Sequence, residues 1–227
     1  MKAYRDGART VTPAPGPAKR LTLRLPGTWV QLDPGRPEIT EARVRAFVEA
    51  SIGRADQLAS ARADLRKALG SVLERGEGPA GLESTFLCQE IAPGVATPIA
   101  VSVFAPPDVR MSPVVGTSPE AVIAGFLDAM EVIEGAPQWK RLACADGWAA
   151  RRWRVATHAA LPVLAGQSVP TFAAEYWRTV PGTKRLMLIT VTSPLADIPQ
   201  TMLRLADAIV AGSRFAPEQP ARPHAAE

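Results

Sequence analysis

The chain of 227 residues is 47% apolar and 21% charged, the proportions of a globular protein long enough to bury a substantial core. Its net charge of +4 comes from the first twenty residues, where Lys2, Arg5, Arg9, Lys19 and Arg20 outnumber Asp6. Beyond them acids and bases balance, which removes the excess positive charge that a duplex-binding body carries and makes nucleic acid an unlikely partner. No apolar run reaches the ~18 residues of a membrane span, so no membrane insertion is expected.

The balance is uneven along the chain. Residues 81–134 hold seven acids against Arg110, and residues 135–185 hold eight bases against Asp146 and Glu175. Two such segments either pack with their charges facing each other or form a polarised surface that orients a partner. Cys88 and Cys144 are too few for a disulfide framework, and the N-terminus lacks the apolar core of a secretory signal. A reduced, cytoplasmic location is expected. Abundant Ala, Arg, Gly and Pro with scarce Lys point to a high-GC bacterial genome.

Residues 1–19 read as a disordered basic arm, 20–215 as a single domain and 216–227 as a disordered tail. The domain opens on Leu21, Leu23 and Leu25 at the two-residue period of a strand. Pro26-Gly27 makes a turn before Trp29, and Asp33-Pro34-Gly35 makes a second. Residues 38–74 carry a helical pattern broken near Gly53. Its buried face is predicted as Val44, Phe47 and Val48, then Leu58, Ala61, Leu65, Ala68 and Val72. GEGPAG at 76–81 matches a dinucleotide fingerprint in letters, but a helix precedes it and a strand follows. That order is the reverse of what phosphate binding needs, so it reads as a loop.

Strands are predicted over 82–91 and 98–105. Ser118 then caps a helix with Pro119 at its first position and Val122, Ile123, Phe126, Leu127, Met130 and Ile133 as its buried stripe. Two hairpins follow, about Asp146-Gly147 and Pro181-Gly182. A last helix starts near Asp197 and buries Ile198, Met202, Leu205, Ala206 and Ile209. Hairpins dominate and no βαβ alternation occurs. The fold class is therefore α+β, an antiparallel sheet built from hairpins with helices packed on its faces.

DGWAARRWRVATH, residues 146–158, crowds two tryptophans and three arginines together. A two-residue turn at Asp146-Gly147 sets Ala145 opposite Trp148, Cys144 opposite Ala149, Leu142 opposite Arg151 and Arg141 opposite Arg152. One face then carries Leu142, Cys144, Ala149, Trp153 and Val155, which is core chemistry. The other carries Trp139, Arg141, Trp148, Arg152 and Arg154. It reads either as a solvated face, or one covered by an acidic helix surface such as that of Asp128 and Glu131, or as an anion, peptide or nucleic-acid contact built on guanidinium–indole stacking. A second candidate is the connection 158–170, long and apolar through Leu161, Val163, Leu164 and Val169. It reads as a lid over a ligand cavity, a protein-contact loop, or a loop closing the end of the core.

Catalytic patterns are lacking. His158 and His224 cannot make a zinc site, Ser168 in GQSVP lacks the second glycine of a nucleophile elbow, and no phosphate-binding P-loop occurs. No catalytic residue, metal or cofactor is expected.

LTLRLPGTWVQL, DGWAARRWRV and the closing EYWRTVPGTKRLMLITVTSPLADIPQTMLRLADAIVAGSRF resemble the PsbP-like α/β/α sandwich family over residues 20–215. The resemblance implies an antiparallel sheet between helices, used as a non-catalytic binding module or assembly factor, with no shared catalytic residues. The expected function is protein binding as an adaptor, assembly or accessory factor. The alternatives are an anion or nucleic-acid binder through the cationic-aromatic strand face, and a small-molecule or lipid carrier with its pocket under the 158–170 loop.

Overall fold

The computed structural model describes residues 19–76, 81–134, 138–158 and 169–217. It is an α+β fold. In chain order the strands are β1 (Lys19–Thr22), β2 (Thr28–Leu32), β3 (Leu82–Ala92), β4 (Val95–Ala96), β5 (Ala100–Phe104), β6 (Lys140–Cys144), β7 (Gly147–His158), β8 (Val169–Thr179), β9 (Leu186–Ser193) and β10 (Arg214–Pro217). The helices are α1 (Pro37–Ile52), α2 (Ala59–Gly76), α3 (Pro119–Glu134) and α4 (Pro199–Ala211). The main sheet runs β2-β3-β5-β9-β8-β7-β6, with β4 paired to β3, and every pairing is antiparallel. A separate ribbon pairs β1 with β10.

The sheet carries helices on both faces. On one face α4 lays Met202, Ala206, Ile209 and Val210 over Ala149, Phe172, Ala174, Tyr176, Ile189 and Val191. Leu21, Leu23 and Leu25 close the same core from the β1 side. On the opposite face two smaller cores stand side by side. One packs Val122, Ile123 and Phe126 of α3 on Trp139, Ala150 and Leu186, and the other packs Val44 and Val48 of α1 on Leu32 and Leu87.

Local chemistry explains most element ends. Pro37 opens α1, and the buried Thr40 hydroxyl clamps the preceding turn, donating to the Asp33 carbonyl at 2.6 Å and accepting from the Asp33 N–H at 3.0 Å. The Ser118 hydroxyl accepts from the Ala121 N–H at 3.2 Å, the cap expected of it. Beyond the break at Gly53 the stripe facing the core is Leu65, Leu69 and Leu73, and Val72 is 44% exposed. The break at Gly53 is as expected, and Leu65 lies on the stripe as expected, but the stripe continues through Leu69 and Leu73, one position beyond Ala68 and Val72.

Other expectations are corrected in the same way. Ile133 is 71% exposed, not buried; in the last turn of α3 it is Glu134 that reaches the sheet, bonding Trp139 and Arg152. Ile198 is 47% exposed, since it precedes the first turn of α4 and does not lie on its stripe. Lys19, Ala216 and Pro217, read as arm and tail, belong to the β1–β10 ribbon. A strand of four residues ending in proline leaves little periodic signal, and the ribbon forms only because the two chain ends meet.

The β6–β7 turn differs most. Its turn residues are Ala145 and Asp146, not Asp146 and Gly147, so Cys144 pairs with Gly147, Leu142 with Ala149 and Arg141 with Ala150. The reason is a second duty for Asp146. Its carboxylate pairs with the guanidinium of Arg178, which is fully buried, and accepts the Phe215 N–H at 2.7 Å. Arg178 also donates to the carbonyls of Trp148 and Thr179 and to the Ser213 hydroxyl. A shift of two residues leaves every side chain on the face expected of it.

Gly147 is confined by this network. At φ +151° an added Cβ would stand 2.7 Å from Thr179 Oγ1 and 2.8 Å from Arg178 Nη1. Gly70 in the middle of α2 has nothing within 4 Å of an added Cβ. The same substitution therefore has opposite signs at the two places. In urea unfolding, Gly147→Ala is expected to lose about 2–4 kcal/mol through backbone strain and overpacking, and Gly70→Ala to gain up to ~1 kcal/mol through helix propensity. Asp146→Ala leaves the Arg178 cation buried without its carboxylate and is expected to cost about 3–5 kcal/mol in the same measurement.

Candidate functional site

The five described residues singled out in the sequence do come together. Trp139, just before β6, and Arg141, Trp148, Arg152 and Arg154 lie on the α3 side of the sheet, and four of them form two stacked pairs. The Arg152 Cζ lies 4.5 Å from the Trp139 ring centroid, and the Arg141 Cζ lies 4.5 Å from that of Trp148. The indole of Trp139 is buried and meets Phe126 edge-on at 5.5 Å. Leu161, Val163 and Leu164, the other candidates, lie outside the described residues.

Sequence reading missed three carboxylates that join the cluster. Glu134, at the end of α3, accepts from Trp139 Nε1 at 3.0 Å and from Arg152 Nη1 at 2.6 Å. Glu120, at the start of the same helix, accepts from Trp148 Nε1 at 3.0 Å. Glu175 of β8, paired directly across from Arg152, accepts from Arg152 Nε at 2.8 Å. An acidic helix does cover the face, but through Glu120 and Glu134, not Asp128 and Glu131. Their spacing of 14 residues spans about 21 Å of helix and matches no local pattern, so only the packing of α3 brings both onto the strands.

The three glutamates equal the three arginines in number, though Arg141 stacks on Trp148 without an ion pair to a described carboxylate; the expected Arg141–Arg152 juxtaposition does not occur because Ala150 stands opposite Arg141. The guanidiniums are not equally engaged. Arg152 is stacked and held by two carboxylates, with its side chain 27% exposed. Arg154 is 59% exposed and meets only the far oxygen of Glu175, at 3.8 Å. The Trp139 donation, with Arg152 beside it, holds the Glu134 carboxyl below the usual glutamate range. The Glu120 carboxyl is held below that range too, by its own backbone N–H and then by the Trp148 donation.

The opposite face holds a second polar set. The Tyr176 hydroxyl donates to Asp207 Oδ1 at 2.8 Å and Arg151 pairs with the other oxygen, fixing α4 to the sheet. Burial, then the Asp207 charge, pushes the Tyr176 phenol far up, so it stays protonated and acts as a donor. Burial pushes the Cys144 thiol to about 11 and raises that of Cys88, and both are free thiols. Among the described residues no three His, Cys, Asp or Glu side chains form a possible metal site.

Two open clefts border α1. One of about 420 Å³ lies against α2, between Pro37, Val44, Gly70 and Leu73, and one of about 740 Å³ lies between Phe47, Leu65, Cys88 and Pro98. Neither is lined by residues of β7 or β8.

The remaining feature is an edge. β8 pairs with β7 as far as His158, but β6 pairs only with Gly147–Arg151. Among the described residues, Arg152–His158 therefore have a strand on one side alone. The alternation of an antiparallel ladder, which turns Trp148 N–H and C=O toward Thr179 of β8, turns those of Trp153, Val155 and Thr157 outward. Val155 is 45% exposed there.

No family model matches the chain, and no curated protein matches it. Among solved structures it is similar to LpqN, described as involved in cell envelope biogenesis of Mycobacterium tuberculosis. The TM-score is 0.39 with 11% identity, over 91% of this chain and 88% of that one. A likeness at that level carries no argument about function.

The depressed Glu134 carboxyl has a pH consequence. Its stabilising share is complete above the ordinary glutamate pKa and is lost as pH falls through the lower folded value. Glu134→Gln lacks this share at every pH. The gap in unfolding free energy between wild type and Glu134→Gln, measured at about pH 6 and about pH 3, is expected to narrow at the lower pH.

Proposed function

We propose that the protein is a non-catalytic protein-binding module, an adaptor, assembly or accessory factor, that receives its partner at the open edge of β7. The observation that supports this reading most is the overhang itself. Unpaired N–H and C=O groups on an edge strand are a template for another strand, and proteins that use such edges bind extended segments by main-chain hydrogen bonds. Two large aliphatics, Val132 and Ile133, stand 86% and 71% exposed in the last turn of α3. The Glu134–Arg152 pair links that turn to the start of the overhang.

The anion-binding alternative has less support, because the arginines on which it rests face an equal number of glutamates. A ligand under the 158–170 connection falls on residues outside those described. Membership of the PsbP-like family is proposed on the sequence resemblance alone, and a cytoplasmic setting on the two free thiols. No described helix is long and apolar enough to cross a membrane.

Val155→Pro removes one outward N–H and leaves the β8 ladder whole, since proline is tolerated on the open side of an edge strand. Affinity capture from lysate with wild type and this variant, both checked for a native thermal melt, tests the reading. A protein retained by wild type and lost with Val155→Pro is the expected result. An identical set of captured proteins for the two would rule out docking at this edge.

A further inference from the structure

Resting on the reading of β7 as a docking edge, we infer that the partner segment is an extended strand with an acidic residue opposite Arg154 and apolar residues on either side of it. The overhang is two-sided in its chemistry. Arg152 and Arg154 project to the α3 face, and Trp153 and Val155 project to the α4 face. A strand added against β7 has its own side chains alternating in step, directly opposite these.

On the α3 face the new side chains meet guanidinium. Arg152 has both carboxylates it needs, but Arg154 has only a 3.8 Å contact with an oxygen of Glu175 and is 59% exposed. It retains donors for a second carboxylate, which it takes in the bidentate geometry suited to arginine. On the α4 face the new side chains meet Trp153, stacked on Phe172 at 6.0 Å, and the half-exposed Val155. These continue the apolar core outward and select apolar residues. A basic segment would set like charges directly opposite, which is unfavourable in cross-strand pairs. A second copy of this chain has no acidic residue in its own Arg152–His158 stretch to offer.

The experiment uses the full chain and two synthetic peptides of equal length, one alternating Glu with Val and one alternating Lys with Val, read by fluorescence anisotropy at low salt. The acidic peptide is expected to bind at least tenfold tighter than the basic one, with Val155→Pro abolishing the signal. Arg154→Glu is expected to reverse the preference without altering the melt. Equal binding of the two peptides, lost in Val155→Pro, would keep the edge as a docking site and overturn its acidic selectivity. Preference for the acidic peptide that survives Val155→Pro would mean charge attraction away from the edge and overturn the proposal. Binding of neither peptide would overturn the proposal too. If Val155→Pro also left the lysate capture unchanged, the edge reading would fall with it.

Discussion

The fully buried guanidinium of Arg178 sets the geometry of half the sheet. It stands at the end of β8 and reaches three other pieces of chain: the β6–β7 turn through Asp146, the start of β7 through the Trp148 carbonyl, and the α4–β10 junction through Ser213. Burying a cation is costly unless a carboxylate and further acceptors replace its water. Here they do, and the cost of losing any one of them fixes all four segments relative to one another. The Asp146 carboxylate also takes the Phe215 N–H, so the closing ribbon hangs from the same group.

From that constraint follows the register of β6 on β7, and from the register follows the character of the α3 face. With Asp146 inside the turn, Arg141 falls opposite Ala150 and leaves Arg152 free to stack on Trp139 and reach Glu134 and Glu175. The acidic and basic halves of the sequence meet at this place, where an acidic helix covers basic strands. Arg152 is held by two of those carboxylates. The interest of the face shifts from its sum of charge to the guanidiniums that lack a close carboxylate among the described residues, those of Arg141, which only stacks on Trp148, and Arg154.

Arg154 is loosely held because β6 is short. It stops at Lys140, and β7 runs on seven residues further with one side unpaired among the described residues. Main-chain donors and acceptors, an exposed valine and a part-free arginine thus share one strand. Natural sheets blunt such edges with charge, and Arg152 and Arg154 place charge on this one.

The sequence by itself determined the class of fold, the four principal helices, the hairpins and the assignment of side chains to faces. These depend on local rules: apolar period, the Ser118-Pro119 cap and turn-forming residues between apolar runs. The face assignment survived a wrong register because an error of two residues preserves alternation. It also determined that Trp139, Arg141, Trp148, Arg152 and Arg154 share a surface. Tertiary structure alone decided what that surface is. Glu120 and Glu134 reach it only because α3 lies across β6 and β7, and Glu175 only because β8 pairs beside Arg152. The Asp146–Arg178 pair spans 32 residues with no pattern joining them, and the turn moved to accommodate it. Whether β7 has a second neighbour depends on where β6 begins, a boundary that local propensity places poorly. Contacts between residues distant in sequence carry no periodic signal, and the covered face and the open edge are both made of such contacts.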